Sequence, residues 1–227
     1  MFLCVRCWAC SPCIADLKLG TRTWDRNCDE RKLHTHKDID AASTTSSVGW
    51  RFCGVVLRHR GGAPVNLGKN YGVFVAAERV VEPMLAFLTG DPWHYGDEAP
   101  PCACECALLG RRLSRAVVAQ RCRLAVERLR VLEEFLALGK YTVFAASAML
   151  VYDGARCCCE GEGVEDAVVA AQRVSVTLID YAHVWDAADD PGDSGALVGV
   201  RNLIALLTAV AEHTDDYLTR YYHDHAH

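Results

Sequence analysis

The sequence has no run of about 20 uninterrupted apolar residues, the length a bilayer requires. Its longest apolar stretches, such as 198–210, are cut by Arg201 and Asn202, so no membrane span is expected. Residues 1–9 are apolar but carry Arg6, and they run into Cys10-Ser11-Pro12-Cys13 rather than a small-residue cleavage site. No secretory signal is therefore expected. Positive charge is also short: 24 Lys and Arg against 29 Asp and Glu give a formal net charge of -5. General nucleic-acid binding needs a basic surface and is not expected, whereas a local basic pocket for an anionic ligand remains compatible. The glycine-rich stretch 61–72 lacks any G-K-[ST] and reads as a hairpin turn rather than a phosphate loop. Disorder is excluded by composition, since 51% of the 227 residues are hydrophobic and 23% charged. That is enough to bury one core, or two small ones.

Cysteine is plentiful, with 13 residues, but an odd count and the adjacent Cys157, Cys158 and Cys159 fit poorly with paired disulfides. A reducing compartment, cytoplasm or nucleus, is the expectation. Cys4, Cys7, Cys10 and Cys13 have a spacing that suits an iron–sulfur cluster or zinc. Pro12 and the final two-residue gap depart from the cluster pattern, and Cys13 belongs to the first motif below, which bound metal would distort. The Cys102, Cys104, Cys106 group and the His223, His225, His227 alternation read as loop and tail composition.

Hydrophobic periodicity outlines the elements. Residues 12–20 alternate as a strand or extended turn, 28–42 suggest a helix, and the Ser/Thr cluster 43–47 a loop. Residues 50–57 read as a strand, 58–67 as a turn and 71–75 as a second strand, which together make a hairpin. A helix is expected over 76–88 and a loop over 91–106. The best helix spans 112–138, with Val117, Val118, Leu124, Leu129, Leu132, Phe135 and Leu136 as its core face. Strands at 141–152 and 173–181, neighbours in one sheet, flank a loop at 153–165. Residues 196–222 read as mostly helix, beginning with the Leu197, Val200, Leu203, Ile204, Leu207 face, and 216–227 as a polar tail. This is one α+β domain over 1–227 with its motif-bearing core at 10–215.

Three spaced segments stand out. The first, Pro12-Cys13-Ile14-Ala15-Asp16-Leu17-Lys18-Leu19-Gly20, has the form P-x-x-x-D-x-K-x-G; the second is 143–154, ending Tyr152-Asp153-Gly154. The third is Leu178-Ile179-Asp180-Tyr181-Ala182-His183, followed by Asp193-Ser194-Gly195-Ala196-Leu197-Val198-Gly199-Val200-Arg201-Asn202-Leu203-Ile204. In order and spacing they resemble the inositol polyphosphate kinase family, whose motifs include S-S-L-L, I-D-F-A-H and D-x-G-x-x-x-G-x-x-N-L-I. The second segment has Ala146-Ser147-Ala148-Met149 where the family carries S-S-L-L. Residues 43–54 further resemble the S-T-S-x-x-L-G-x-R-x-C-G stretch of the inositol hexakisphosphate kinase branch.

The resemblance implies an antiparallel sheet packed by helices, distantly like protein kinases and ATP-grasp enzymes. It implies transfer of the ATP γ-phosphoryl group to an inositol polyphosphate, with inositol hexakisphosphate the favoured acceptor and a diphosphoinositol pentakisphosphate the product. ATP and Mg²⁺ are the implied cofactors. Such chemistry needs a metal, a cation at the phosphates and an aligned acceptor. By resemblance, Lys18 and Asp180 are catalytic: Asp180 holds Mg²⁺ and with it the nucleotide, and Lys18 bridges the nucleotide and substrate phosphates; Asp16 sits near the nucleotide ribose or the acceptor, and His183 and Lys32 touch the substrate. Arg22, Arg26, Arg31, His34, His36 and Lys37 add to the basic stretch around Lys32. A densely phosphorylated ligand needs such a patch, while for each residue alone a solvated helix face is the simpler reading.

Family members place a lobe carrying an ATP-phosphate lysine ahead of the first motif. Here that motif begins at residue 12 and the first lysine is Lys18, so the resemblance covers the carboxy-terminal lobe. A fragment, a remnant without catalysis that still binds inositol phosphates, and a cleft completed by another polypeptide all fit this. Gly192-Asp193-Ser194-Gly195 copies the surroundings of a serine protease nucleophile, but a long apolar helix follows it where a β-barrel is needed.

Overall fold

The computed structural model describes residues 12–57, 64–90, 107–153, 173–189 and 192–224. Strand β1, Pro12–Leu19, has Cys13, Ala15, Leu17 and Leu19 buried on one face while the residues between them stay half-buried. This period of two lets one strand face a helical core and carry polar side chains on its other side. Antiparallel neighbours flank it: β2, Trp50–Leu57, and β5, Ser147–Asp153. With β3, Val65–Leu67, and β6, Val174–Ile179, they form a five-stranded sheet of order β3-β2-β1-β5-β6. A separate ribbon pairs β4, Tyr141–Phe144, with β7, His183–Asp186.

Helix α4, Ala107–Ala137, buries Val118, Cys122, Ala125 and Leu129, a stripe at helical spacing. It packs on α5, Ala196–Glu212, which buries Val200, Leu203, Ile204, Leu207 and Val210. Helix α5 lies close to β2 because both residues at the crossing are glycine. A Cβ on Gly199 would stand 1.9 Å from the carbonyl oxygen of Gly49, which itself has φ +78°. Among the described residues no single helix is long and apolar enough to cross a membrane. Helix α5 and the following α6, Thr214–Asp224, reach that composition only jointly, and they bend by 90°.

Several local expectations give way to tertiary contacts. The Ser/Thr cluster is not a loop: Ser43 caps a short helix α2, Thr44–Val48, accepting from the Thr45 N–H. It follows α1, Glu30–Ala42. The partner of β2 is Val65–Leu67 rather than 71–75, because Tyr71–Val73 is a 3₁₀ turn whose Tyr71 ring packs edge-on against Phe52. The 76–88 helix is divided into a 3₁₀ turn, Ala77–Arg79, and α3, Val81–Thr89. The strand expected over 141–152 breaks at Ala145, φ +51°, and its halves join different sheets. Phe135 is 41% exposed and stacks on Tyr141 instead of entering the core. The helix expected over most of 196–222 is present as α5 and α6, broken at His213, and the part of it read as a polar tail buries Leu218 and Tyr221. Cys4, Cys7 and Cys10 and the expected loops at 91–106 and 153–165 lie outside the described residues, apart from Asp153, which ends β5.

Candidate functional site

Asp16 and Lys18 are two residues apart on β1 and so share its half-buried face. A bulge in the β1–β2 ladder follows Asp16, with Asp16 opposite Gly54 and Leu17 opposite Phe52, so Cys53 is the extra residue. Burial, reinforced by the negative charge of Asp16, pushes the Cys53 thiol above its usual range. The Oδ1 of Asp16 is buried and accepts no hydrogen bond from the described residues. A buried acceptor in that condition is costly unless a donor arrives from outside.

Lys18 reaches away from the strand. Its Nζ donates to the carbonyl oxygen of Ala145 at 2.8 Å and to Oδ2 of Asp180 at 3.3 Å. The lysine side chain is 12% exposed and the aspartate 61%. Asp180 stands between β6 and β7 with φ +58°, so the chain turns there and presents the carboxylate beside the ammonium group. The sequence motifs therefore bring Lys18 and Asp180 together across 162 residues.

A cavity of about 260 Å³ opens next to this pair, and Ala145, the residue whose carbonyl holds Lys18, is in its wall. Lys32, His183, His36 and Phe144 also line it, as do Thr23, Asp25 and Asp29. Two sequence candidates, Lys32 and His183, thus share one cavity; Asp16 is not in its wall. Of the remaining basic stretch only His36 lines it. Arg22 is stacked by Trp24 and Phe144, its guanidinium carbon 4.7 and 4.8 Å from the two ring centres. Arg26 lies over Trp185 and Lys37 over Trp24. His34 pairs with Asp38 at 3.6 Å on the exposed side of α1.

Asp25 was not singled out by sequence. It is buried at the cavity and accepts from Trp185 Nε1 at 3.0 Å, His183 Nδ1 at 3.1 Å and the Asn27 N–H at 3.1 Å. Burial works to raise its pKa, but the donors from Trp185, His183 and Asn27 outweigh it and hold the carboxyl below its ordinary value. Asp40 is buried as well and takes the Thr23 N–H at 2.8 Å and the Thr23 hydroxyl at 2.9 Å. There burial wins, and the carboxyl is pushed up. The only sequence signal for Asp25 is its place beside an aromatic residue in a basic stretch; its side-chain donors His183 and Trp185 are about 160 residues away.

The serine protease pattern finds no support in the geometry. Ser194 is buried, its Oγ accepts the Ala196 N–H, and its carbonyl takes the Thr21 N–H. Among the described residues no group of three or more His, Cys, Asp and Glu side chains is placed to hold a metal ion. Cys13 faces the core.

The family model for inositol polyphosphate kinase matches residues 7–208. The chain belongs to the inositol polyphosphate kinase family. Inositol hexakisphosphate kinase 3 of Mus musculus is 26% identical over 215 residues, covering 88% of this chain and 48% of that protein. Inositol hexakisphosphate kinase 2 of Homo sapiens is 23% identical over 233 residues, covering 90% and 50%. The chain thus spans about half the length of the curated relatives it matches. The inositol phosphate multikinase Ipk2 of S. cerevisiae, solved with ADP and Mn²⁺, superposes with a TM-score of 0.63 at 16% identity, over 88% of this chain and 79% of that one. A second inositol phosphate multikinase structure gives 0.61, also at 16% identity, over 92% and 84%. The mixed helix and antiparallel-sheet architecture is that of these inositol phosphate kinases.

Proposed function

We propose that this site transfers the γ-phosphoryl group of ATP to an inositol polyphosphate, with inositol hexakisphosphate the favoured acceptor. The observation that carries this reading is the position of Lys18. Its ammonium group touches the Asp180 carboxylate and the wall of the cavity lined by Lys32, His36 and His183. A compact cation there serves both a nucleotide phosphate and a phosphorylated acceptor.

The residues present suit a divalent ion and a nucleotide. Asp180 offers a single, largely exposed carboxylate. Mg²⁺ is commonly held by one or two carboxylates together with substrate phosphates. When bound, the ion would neutralise charge on the transferred group. The buried free oxygen of Asp16, on the same strand face as Lys18, suits a hydroxyl donor such as a ribose. A multikinase of the same fold was solved with ADP and Mn²⁺, which supports the use of a nucleotide and a divalent ion here. Lys32 and His183 are the proposed contacts to the inositol phosphate, and the cytoplasm or nucleus is the proposed location.

A second reading is a module that binds inositol phosphates without turning them over. It is favoured by Ala146-Ser147-Ala148-Met149 standing where the family carries S-S-L-L. Incubating the protein with Mg²⁺, ATP and a series of inositol polyphosphates, then separating the products by anion exchange, distinguishes the two. A product one phosphate richer supports the kinase; salt-sensitive binding without product selects the module.

A further inference from the structure

Two histidines line the cavity, and the ring Nδ1 of each is already taken by the protein. His183 Nδ1 lies 3.1 Å from Oδ2 of Asp25, and His36 Nδ1 lies 2.8 Å from the Thr23 hydroxyl. The carboxylate of Asp25 is acceptor-only when ionised, so the proton between it and His183 sits on Nδ1. Thr23 has one hydroxyl proton and gives it to the buried carboxylate of Asp40, at 2.9 Å, so its oxygen accepts from His36 Nδ1–H. The two chains of contacts are separate in sequence and alike in outcome. In each, a buried carboxylate, directly or through a hydroxyl, consumes Nδ1 and leaves Nε2 as the ring nitrogen free for a ligand.

We propose that Asp25 and the Thr23–Asp40 pair are positioning residues that fix His183 and His36 with Nε2 committed to phosphate groups held in one cavity, beside Lys32. The proposal rests on the reading of the cavity as an inositol-phosphate site. It adds His36, which no sequence motif marked, as the second imidazole ligand. The acidic side chains at the cavity do not oppose an anion freely. Asp25 is covered by its three donors, and Asp29 caps α1 through the N–H groups of Arg31 and Lys32. Orienting an imidazole through a hydrogen bond to its far nitrogen is the general way a protein selects which nitrogen meets the ligand.

The test uses the full chain with inositol hexakisphosphate as the probe, in wild type, Asp25→Asn, Thr23→Val, His183→Ala, His36→Ala and the doubles D25N/H183A and T23V/H36A. Nitrogen-15 NMR of the imidazoles reads the tautomers, calorimetry reads affinity, and thermal unfolding checks folding. Wild type is expected to show both rings protonated at Nδ1, with D25N disturbing only His183 and T23V only His36. Each positioning variant should weaken binding about tenfold. In the backgrounds lacking the matching histidine, the same substitutions should cost little more. Undisturbed tautomers, or an unchanged loss of affinity in those backgrounds, would overturn the positioning role. If D25N does not fold, T23V with H36A decides the matter alone. A wild type that binds no inositol hexakisphosphate overturns the functional reading, and with it the ligand role of both rings.

Discussion

Lys18 binds, through one nitrogen, the carbonyl of Ala145 and the carboxylate of Asp180, and these are the two non-glycine residues with positive φ among the described residues. Left-handed backbone costs an alanine or aspartate roughly 1 to 3 kcal/mol and persists where the surroundings impose it. The kink at Ala145 turns its carbonyl to the lysine, and the kink at Asp180 sets its carboxylate beside the same ammonium group. Two local irregularities thus converge on one cation.

Substituting Lys18→Met keeps most of the length of the side chain and removes the charge. Because Asp180 is largely exposed, the lost ion pair should cost no more than about 1 kcal/mol of stability. Loss of the cation at the reacting phosphates should lower turnover by about 10²- to 10³-fold. Paired thermal unfolding and product assays check the split; a variant that unfolds but retains its specific activity would contradict it.

At Asp180 the backbone and the carboxylate can be separated. Asp180→Gly relieves the left-handed strain, whereas Asp180→Ala retains it, so the glycine variant should be the more stable by about 1 kcal/mol. Both should lack turnover. Urea unfolding of the two variants measures the difference directly.

Gly199→Ala places a methyl group 1.9 Å from the Gly49 carbonyl oxygen, which is backbone and cannot step aside. Helix α5 would have to lift from the end of β2, at a cost of about 1 to 3 kcal/mol or more. A lowered unfolding midpoint, with the same change at exposed Gly68, where an added Cβ meets nothing within 4 Å, as control, is the expected result.

The buried carboxylates should respond to acid with opposite signs. Asp25 has its pKa lowered from 3.8. Its contribution is present above that ordinary value and is lost as pH falls through the folded one. The stability deficit of Asp25→Asn should therefore shrink between about pH 6 and pH 3. Asp40 is raised above 3.8, so its contribution is present at low pH and is lost as pH rises through the folded value. The deficit of Asp40→Asn should shrink in the reverse direction, as pH rises. Unfolding each variant across that range tests both signs.

The parts legible in the sequence are those whose cause is local. The alternation of Cys13, Ala15, Leu17 and Leu19 marks β1, and the spacing of Val118 and Leu129 marks α4, because each pattern reflects one buried face. The break at Ala145 has no such signal: alanine suits a strand or a helix, and its kink follows from contacts with residues far away. Val65–Leu67 is too short a run to show a period, and α6 is polar except where Leu218 and Tyr221 meet the core. In the site, Lys18 and Asp180 belong to motifs that can be matched. Asp25, Thr23 and Asp40 matter through what they face, and the polar composition around them looks like any solvated stretch.

The most direct test of the account compares the wild-type chain with Asp180→Ala, each incubated with Mg²⁺, ATP and inositol hexakisphosphate and resolved by anion-exchange chromatography. The account predicts a more anionic inositol species from the wild type and none from the variant. A folded wild type that forms no such species, or a variant that forms it at the same rate, would contradict it.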